Sequence, residues 1–160
     1  MLRLGLPVAV VVLVADQLAK LWVVSAIGPG SRDAVTGFFN IVLTFNPGIS
    51  FSLFQNEAWG PWLFSILALV VVAVLIVWLR RASSIWLGVA IGGIVGGALG
   101  NTVDRVVYGA VVDFLDFHAM GYHWPAFNVA DSAIVTGVVM ILTEGLVFRG
   151  RKSVDGDDNS

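Results

Sequence analysis

The sequence predicts an all-α integral membrane protein: four transmembrane helices, a small extracytoplasmic β-cradle, and a second outer loop or short helix. Composition is the first reason. Of 160 residues, 58% are hydrophobic and only 12% charged, with a mean hydropathy of +0.89, beyond what a water-soluble domain of this size shows. The second reason is length. Four apolar stretches, near 4–26, 60–79, 85–103 and 129–148, can each cross a hydrocarbon core of roughly 30 Å, which takes about 20 helical residues. The third is charge placement: Arg3, Arg80, Arg81, Arg149, Arg151 and Lys152 all fall on one side of a four-span arrangement. That side is expected to be cytoplasmic.

The first stretch has the look of a secretory signal, with Arg3 ahead of an apolar run. Asp16 and Lys20 interrupt that run and no small-x-small cleavage site follows, so a retained span is expected. The outer segment 27–58 opens with Gly28-Pro29-Gly30 and continues with Phe38 to Phe45, a β-rich run that does not read as helix. This is the expected cradle. Trp59, Trp62, Trp78, Trp86 and Trp124 stand at predicted span ends as interfacial anchors. The third span carries Gly92, Gly96 and Gly100, a repeated small-xxx-small pattern for close helix packing. The segment 104–128 is the second outer connection. Residues 1–148 form one domain, and the polar, acidic stretch 149–160 reads as a disordered cytoplasmic tail.

Several chemistries are disfavoured at once. A net charge of −2 offers no basic face for nucleic acid. There is no Cys, and the two His residues, His118 and His123, share one loop. Thiolate metal sites, a Cys nucleophile and a zinc cluster therefore lack parts, as does a serine hydrolase without a Gly-x-Ser-x-Gly elbow. No metal or cofactor is expected.

Ionisable groups at membrane depth cost at least about 2.5 to 3.5 kcal/mol each, so each calls for a partner. Asp16 and Lys20, spaced i,i+4, can neutralise each other or touch substrate. Asn46, in Asn46-Pro47-Gly48, either makes a simple turn or holds an extended peptide backbone. Asn101, Asp104 and Arg105 can cluster at one helix end, with Arg105 expected to hold Asp104 ionised as a structural clamp. Asp113, bracketed by Val and Phe, is placed where burial would raise its pKa; Asp116 shares that run. Asn128 reads as a helix N-cap with Asp131 at the third helical position. Taken together, Asp113 and Asp131 are two carboxyls able to share a proton and hydrolyse a peptide bond. A proton- or ion-coupled transporter is the rival, but a relay needs polar groups through the full membrane depth.

These motifs, in order, resemble those of the lipoprotein signal peptidases. Asp16-Gln17-Leu18-Ala19-Lys20 is similar to the family's Asp-Gln-x-x-Lys, and Asn46 to Ser52 to its Asn-x-Gly-x-Ala-Phe-Ser. Gly96 to Arg105 resembles its Gly-x-x-Gly-Asn-x-x-Asp-Arg; Val112-Asp113-Phe114 and Phe127 to Ser132 resemble the two motifs of its aspartyl pair. Ser50 departs from the usual Ala, and Pro47 is uncommon there. The resemblance implies removal of signal peptides from diacylglyceryl-modified prolipoproteins, before the lipidated Cys, at the outer face of the bacterial cytoplasmic (inner) membrane. It also implies contact with membrane lipids and inhibition by globomycin-type cyclic peptides. Carried over, Asp113 and Asp131 are the catalytic pair; Asn46, Gly48, Asn101, Asp104, Arg105, Asn128 and Ala130 shape the site or touch substrate; Asp16 and Lys20 support it. Asp116 gains no role.

Overall fold

The structure is a computed structural model that describes residues 1–47 and 60–154. Gly48 and Ser50 lie outside the described residues, as does the last part of the tail. Among the described residues, four helices are long and apolar enough to cross a membrane: α1 (Leu2–Ala26), α2 (Gly60–Arg81), α3 (Ile85–Tyr108) and α4 (Val129–Val154), in which the stretch Val129–Leu146 alone suffices. Between them lie β1 (Arg32–Ala34), β2 (Phe39–Asn46), β3 (Val111–Ala119) and β4 (Tyr122–His123). The expected spans are all present, with α3 running past 103 and α4 past 148 into the segment read from sequence as a disordered tail.

α3 is the central helix, packed against α1, α2 and α4. Its glycines explain why. A Cβ on Gly92 or Gly96 would strike the backbone carbonyls of Gly5 and Ala9 on α1, and one on Gly97 would strike the carbonyl of Ala130 on α4. Backbone therefore meets backbone on both sides, the contact that small residues allow where lipid supplies no hydrophobic drive. Ala9, Val72, Leu75, Leu79, Ile91, Ile94 and Val95 fill the remaining space in the bundle. Arg3 and Arg80 line one open pocket, so the α1 start and the α2 end lie together, at the end opposite the sheet.

The second outer segment, expected as a loop or short helix, is a strand. Ser84 caps the start of α3 through its hydroxyl, which accepts from the Leu87 N–H at 3.3 Å. Gly109, left-handed at φ 71°, ends the helix and reverses the chain into β3. β3 then pairs with β2 in a fully antiparallel sheet of order β1-β2-β3-β4. Its Val and Phe residues suit a pleated surface, and the pairing gives backbone groups near the membrane their partners. The Met120-Gly121 turn, with both φ angles positive, closes the β3–β4 hairpin.

The sheet has one irregularity. Ile41 pairs with Leu115 and Thr44 with Asp113, so β2 carries one extra residue against β3. Asn40 and Asn46, six residues apart, would share a face of a regular strand. The bulge inverts the alternation, and each asparagine reaches a different aspartate of β3.

Candidate active site

The sheet-side ends of α1, α3 and α4 meet the inner face of the sheet, and there the buried polar residues gather. Asp16, Lys20, Asn101, Asp104, Asp113 and Asn128 are all buried. Lys20 is the hub. Its ammonium lies 2.7 Å from Asp16, 2.7 Å from Asp104 and 3.0 Å from Asn101 Oδ1, three acceptors for its three N–H bonds. The expected Asp16–Lys20 pair thus forms, and it is also bonded to residues of α3 and α4.

The clamp on Asp104 differs from expectation. Lys20, not Arg105, is its ion-pair partner; Gln17 Nε2 donates to it at 2.9 Å and the Val112 backbone N–H at 3.1 Å. Adjacent residues of a helix point about 100° apart, so Arg105 faces elsewhere. Its guanidinium donates to the Asn101 carbonyl at 3.3 Å and lies 5.8 Å from the Phe64 ring centre. Its buried Nε has no acceptor among the described residues. Asp16 completes the frame by accepting from the Ala130 N–H at 2.8 Å. Ala130 is fully buried between that bond and Gly97.

Asp113 and Asp131 come together above this frame. Asn128 Nδ2 donates to Asp113 at 2.7 Å, and Asn46 Nδ2 donates to its other oxygen at 2.9 Å. Asp131 accepts from Asn101 Nδ2 at 2.8 Å and from the Asn128 backbone N–H at 3.3 Å. Asn128 Oδ1 in turn accepts the Asp131 N–H at 2.9 Å. This is a reciprocal N-terminal cap on α4, as the sequence pattern indicates. The same residue joins the two carboxyls.

Burial is the main force on the Asp113 carboxyl, and the nearby Asp131 charge acts in the same direction. Together they outweigh the Asn46 and Asn128 bonds and the Lys20 charge, and push its pKa up to about 6. Asp113 is buried whereas Asp131 is half-buried. Asp131 opens into a trough of about 370 Å³ lined by Trp124, Phe127, Ser132, Val135 and Thr136.

Sequence reasoning missed three groups here. Gln17 lies in the Asp-Gln-x-x-Lys motif, and its amide donates to Asp16, Asp104 and the Gly100 carbonyl. The Val112 N–H could not be foreseen without knowing that β3 is a strand. Asp116 is the third: it is buried on the opposite face of β3, where it meets Asn40, His123 and Arg32. Burial would raise its carboxyl pKa, but the Asn40 bond, His123 and the Arg32 charge prevail and lower it.

Comparison with known proteins places this arrangement. The chain shares its fold with two solved bacterial membrane enzymes. One, determined by the in meso method at 2.3 Å, is 29% identical with a TM-score of 0.79 over 98% of this chain and 92% of its own. The other, at 1.9 Å, is 31% identical with a TM-score of 0.79 over 89% and 92%. Four spans beneath a small sheet are thus a fold shared with bacterial membrane enzymes. The family profile described as signal peptidase (SPase) II matches residues 8–147. Lipoprotein signal peptidases of Vibrio cholerae and Polynucleobacter necessarius are 47% and 46% identical, covering 91% and 86% of this chain and 86% and 85% of their own. The chain belongs to the signal peptidase II family, and it is a peptidase by that membership.

Proposed function

We propose that this chain is an aspartyl endopeptidase that removes the signal peptide from diacylglyceryl-modified prolipoproteins, with Asp113 and Asp131 as its catalytic pair. The observation that carries this reading is the Asn128 bridge, which donates to both carboxyls at once. The pair shares one proton at rest. One carboxylate takes a proton from water, whose oxygen attacks the scissile carbonyl carbon. The other carboxyl hydrogen-bonds the carbonyl oxygen as charge develops there. Collapse of the tetrahedral intermediate returns a proton to the departing amine and restores the pair.

The two termini and the α2–α3 turn face the cytoplasm, and the acid pair lies near the outer face of the bacterial inner membrane. Hydrolysis needs water and charge, which the bilayer centre excludes. The trough beside Asp131 accepts apolar substrate at the edge of the bundle, and cleavage falls before the lipidated Cys. Asn46, Asn101 and Asn128 orient the acids. Arg105, with its Nε unfilled among the described residues, is a donor for a substrate carbonyl, and Gly48, outside the described residues, is a substrate contact in this reading. Asp16, Lys20, Asp104 and Ala130 hold the frame. Globomycin-type cyclic peptides occupy this site in competition with substrate.

The test is cleavage of a diacylglyceryl-modified prolipoprotein by the detergent-purified chain. Asp113→Asn and Asp131→Asn are each expected to lose activity by about 10³-fold or more while remaining folded. Asp33→Asn, on the exposed edge strand, is expected to keep it. Near-normal turnover in either of the first two variants defeats the assignment.

A further inference from the structure

β3 presents an unusual problem of register. A half-buried strand is normally held in place by its hydrophobic pattern, because a one-residue slip turns the apolar side outward. β3 has no such pattern. Val111, Val112 and Phe114 are buried and Leu115 is half-buried, so both of its faces are apolar. A slip against β2 would change apolar burial little, yet it would turn Asp113 away from Asn128 and Asn46. The bulge between Ile41 and Thr44 already shifts the pairing by one residue within this ladder.

The opposite face of β3 carries what the hydrophobic pattern lacks. Asn40 is the register partner of Asp116, and its Nδ2 donates to the carboxylate at 2.7 Å. His123 Nδ1 lies 2.8 and 3.0 Å from the two oxygens, and Arg32 Nε lies 3.7 Å away. Arg32 also reaches His123 Nε2 at 3.2 Å. A guanidinium can only donate, so Nε2 accepts and Nδ1–H donates to Asp116. These residues come from β1, β2, β3 and β4 in turn, one polar row through all four strands. Asp116 is buried among them, and a slip of one residue would leave it without donors in a place where that is costly.

We propose that Asp116, held by Asn40 and His123, is a positioning residue for the reaction: it fixes the register of β3 and so keeps Asp113 in contact with Asn128 and Asn46. Asp113 is poorly suited to pin itself, because its environment opposes its ionised form. Asp116 is three residues further along the same strand and satisfied by its neighbours. One holds and the other is held.

The inference rests on the proposed acid pair, and the test separates the two. In the full-length chain, Asp116→Asn leaves one acceptor oxygen for the Asn40, His123 and Arg32 donors. It is expected to lower kcat by about tenfold or more with KM changed by less than about twofold, because a misplaced catalytic group costs rate rather than binding. The reciprocal exchange Asn40→Asp with Asp116→Asn rebuilds the row: the new amide donates to the new carboxylate, and its oxygen accepts from His123. That double variant is expected to recover kcat to within about threefold of wild type. A wild-type kcat in Asp116→Asn overturns the proposal, and so does a double variant no better than the single one. If Asp113→Asn is itself active, the acid-pair reading has failed instead.

Discussion

Asp104 and Asp113 are both buried, nine residues apart across the turn from α3 into β3, and their surroundings are opposed. Asp104 meets an ammonium at 2.7 Å and two further N–H donors. Asp113 is hydrogen-bonded, among the described residues, by neutral amides, with a second carboxyl nearby. A carboxylate held by a cation and two further N–H donors is suited to tying elements together. One that is buried without a cation holds its proton readily and can exchange it near neutral pH. The difference is made by position alone, since Lys20 contacts the first directly and acts on the second only from a distance.

The largest effect is expected at Lys20. Lys20→Met removes the cation and leaves Asp16 and Asp104 buried without it, which is expected to destabilise the fold by about 3 to 5 kcal/mol. Unfolding in detergent measures this directly, and a midpoint close to wild type would mean that the frame does not depend on charge pairing.

Asp113 is expected to act in the reverse sense. Its pKa rises from an ordinary 3.8 to about 6 in the folded protein, so its contribution to stability is full below about 3.8 and is lost as pH rises through about 6. At about 1.4 kcal/mol per pH unit, this amounts to about 3 kcal/mol. Asp113→Asn lacks the titration, so its stability relative to wild type should improve between pH 4 and pH 6.5 and then level off. Equal pH slopes for the two proteins would show that burial does not raise the Asp113 pKa.

A smaller effect sharpens the same point. Asn46 donates a bond that lowers the Asp113 pKa, so Asn46→Ala should move the bend in the kcat/KM profile upward from about pH 6 by less than about one unit. A downward move would show that water entering the gap outweighs the lost bond.

Legibility in the sequence tracks the range of each interaction. The spans could be read because length and apolar content alone decide them. The Asp16–Lys20 pair and the Asn128–Asp131 cap could be read because helix geometry brings residues three and four apart together. The true partner of Asp104 could not, since Lys20 lies 84 positions earlier and reaches it only through α1–α3 packing. β3 was hidden for a related reason: with apolar residues on both faces it shows no period of two, and only pairing with β2 makes it a strand. Asp116 is not legible in sequence because its partners lie on three other strands. The paired role of Asp113 and Asp131 was suggested by their chemistry and the family resemblance; the Asn128 bridge came from the structure.

The cap on α4 also bears on how the protein is made. Asn128 and Asp131 begin the last span and, by the same bonds, join that span to Asp113 on β3. Starting the helix and assembling the acid pair are therefore one event. A nascent chain with three spans in the membrane already carries Asp16, Lys20, Asp104 and Asp113 but lacks Asp131. The membrane meets the proposed proteolytic centre only once synthesis has passed α4 and the bundle has closed.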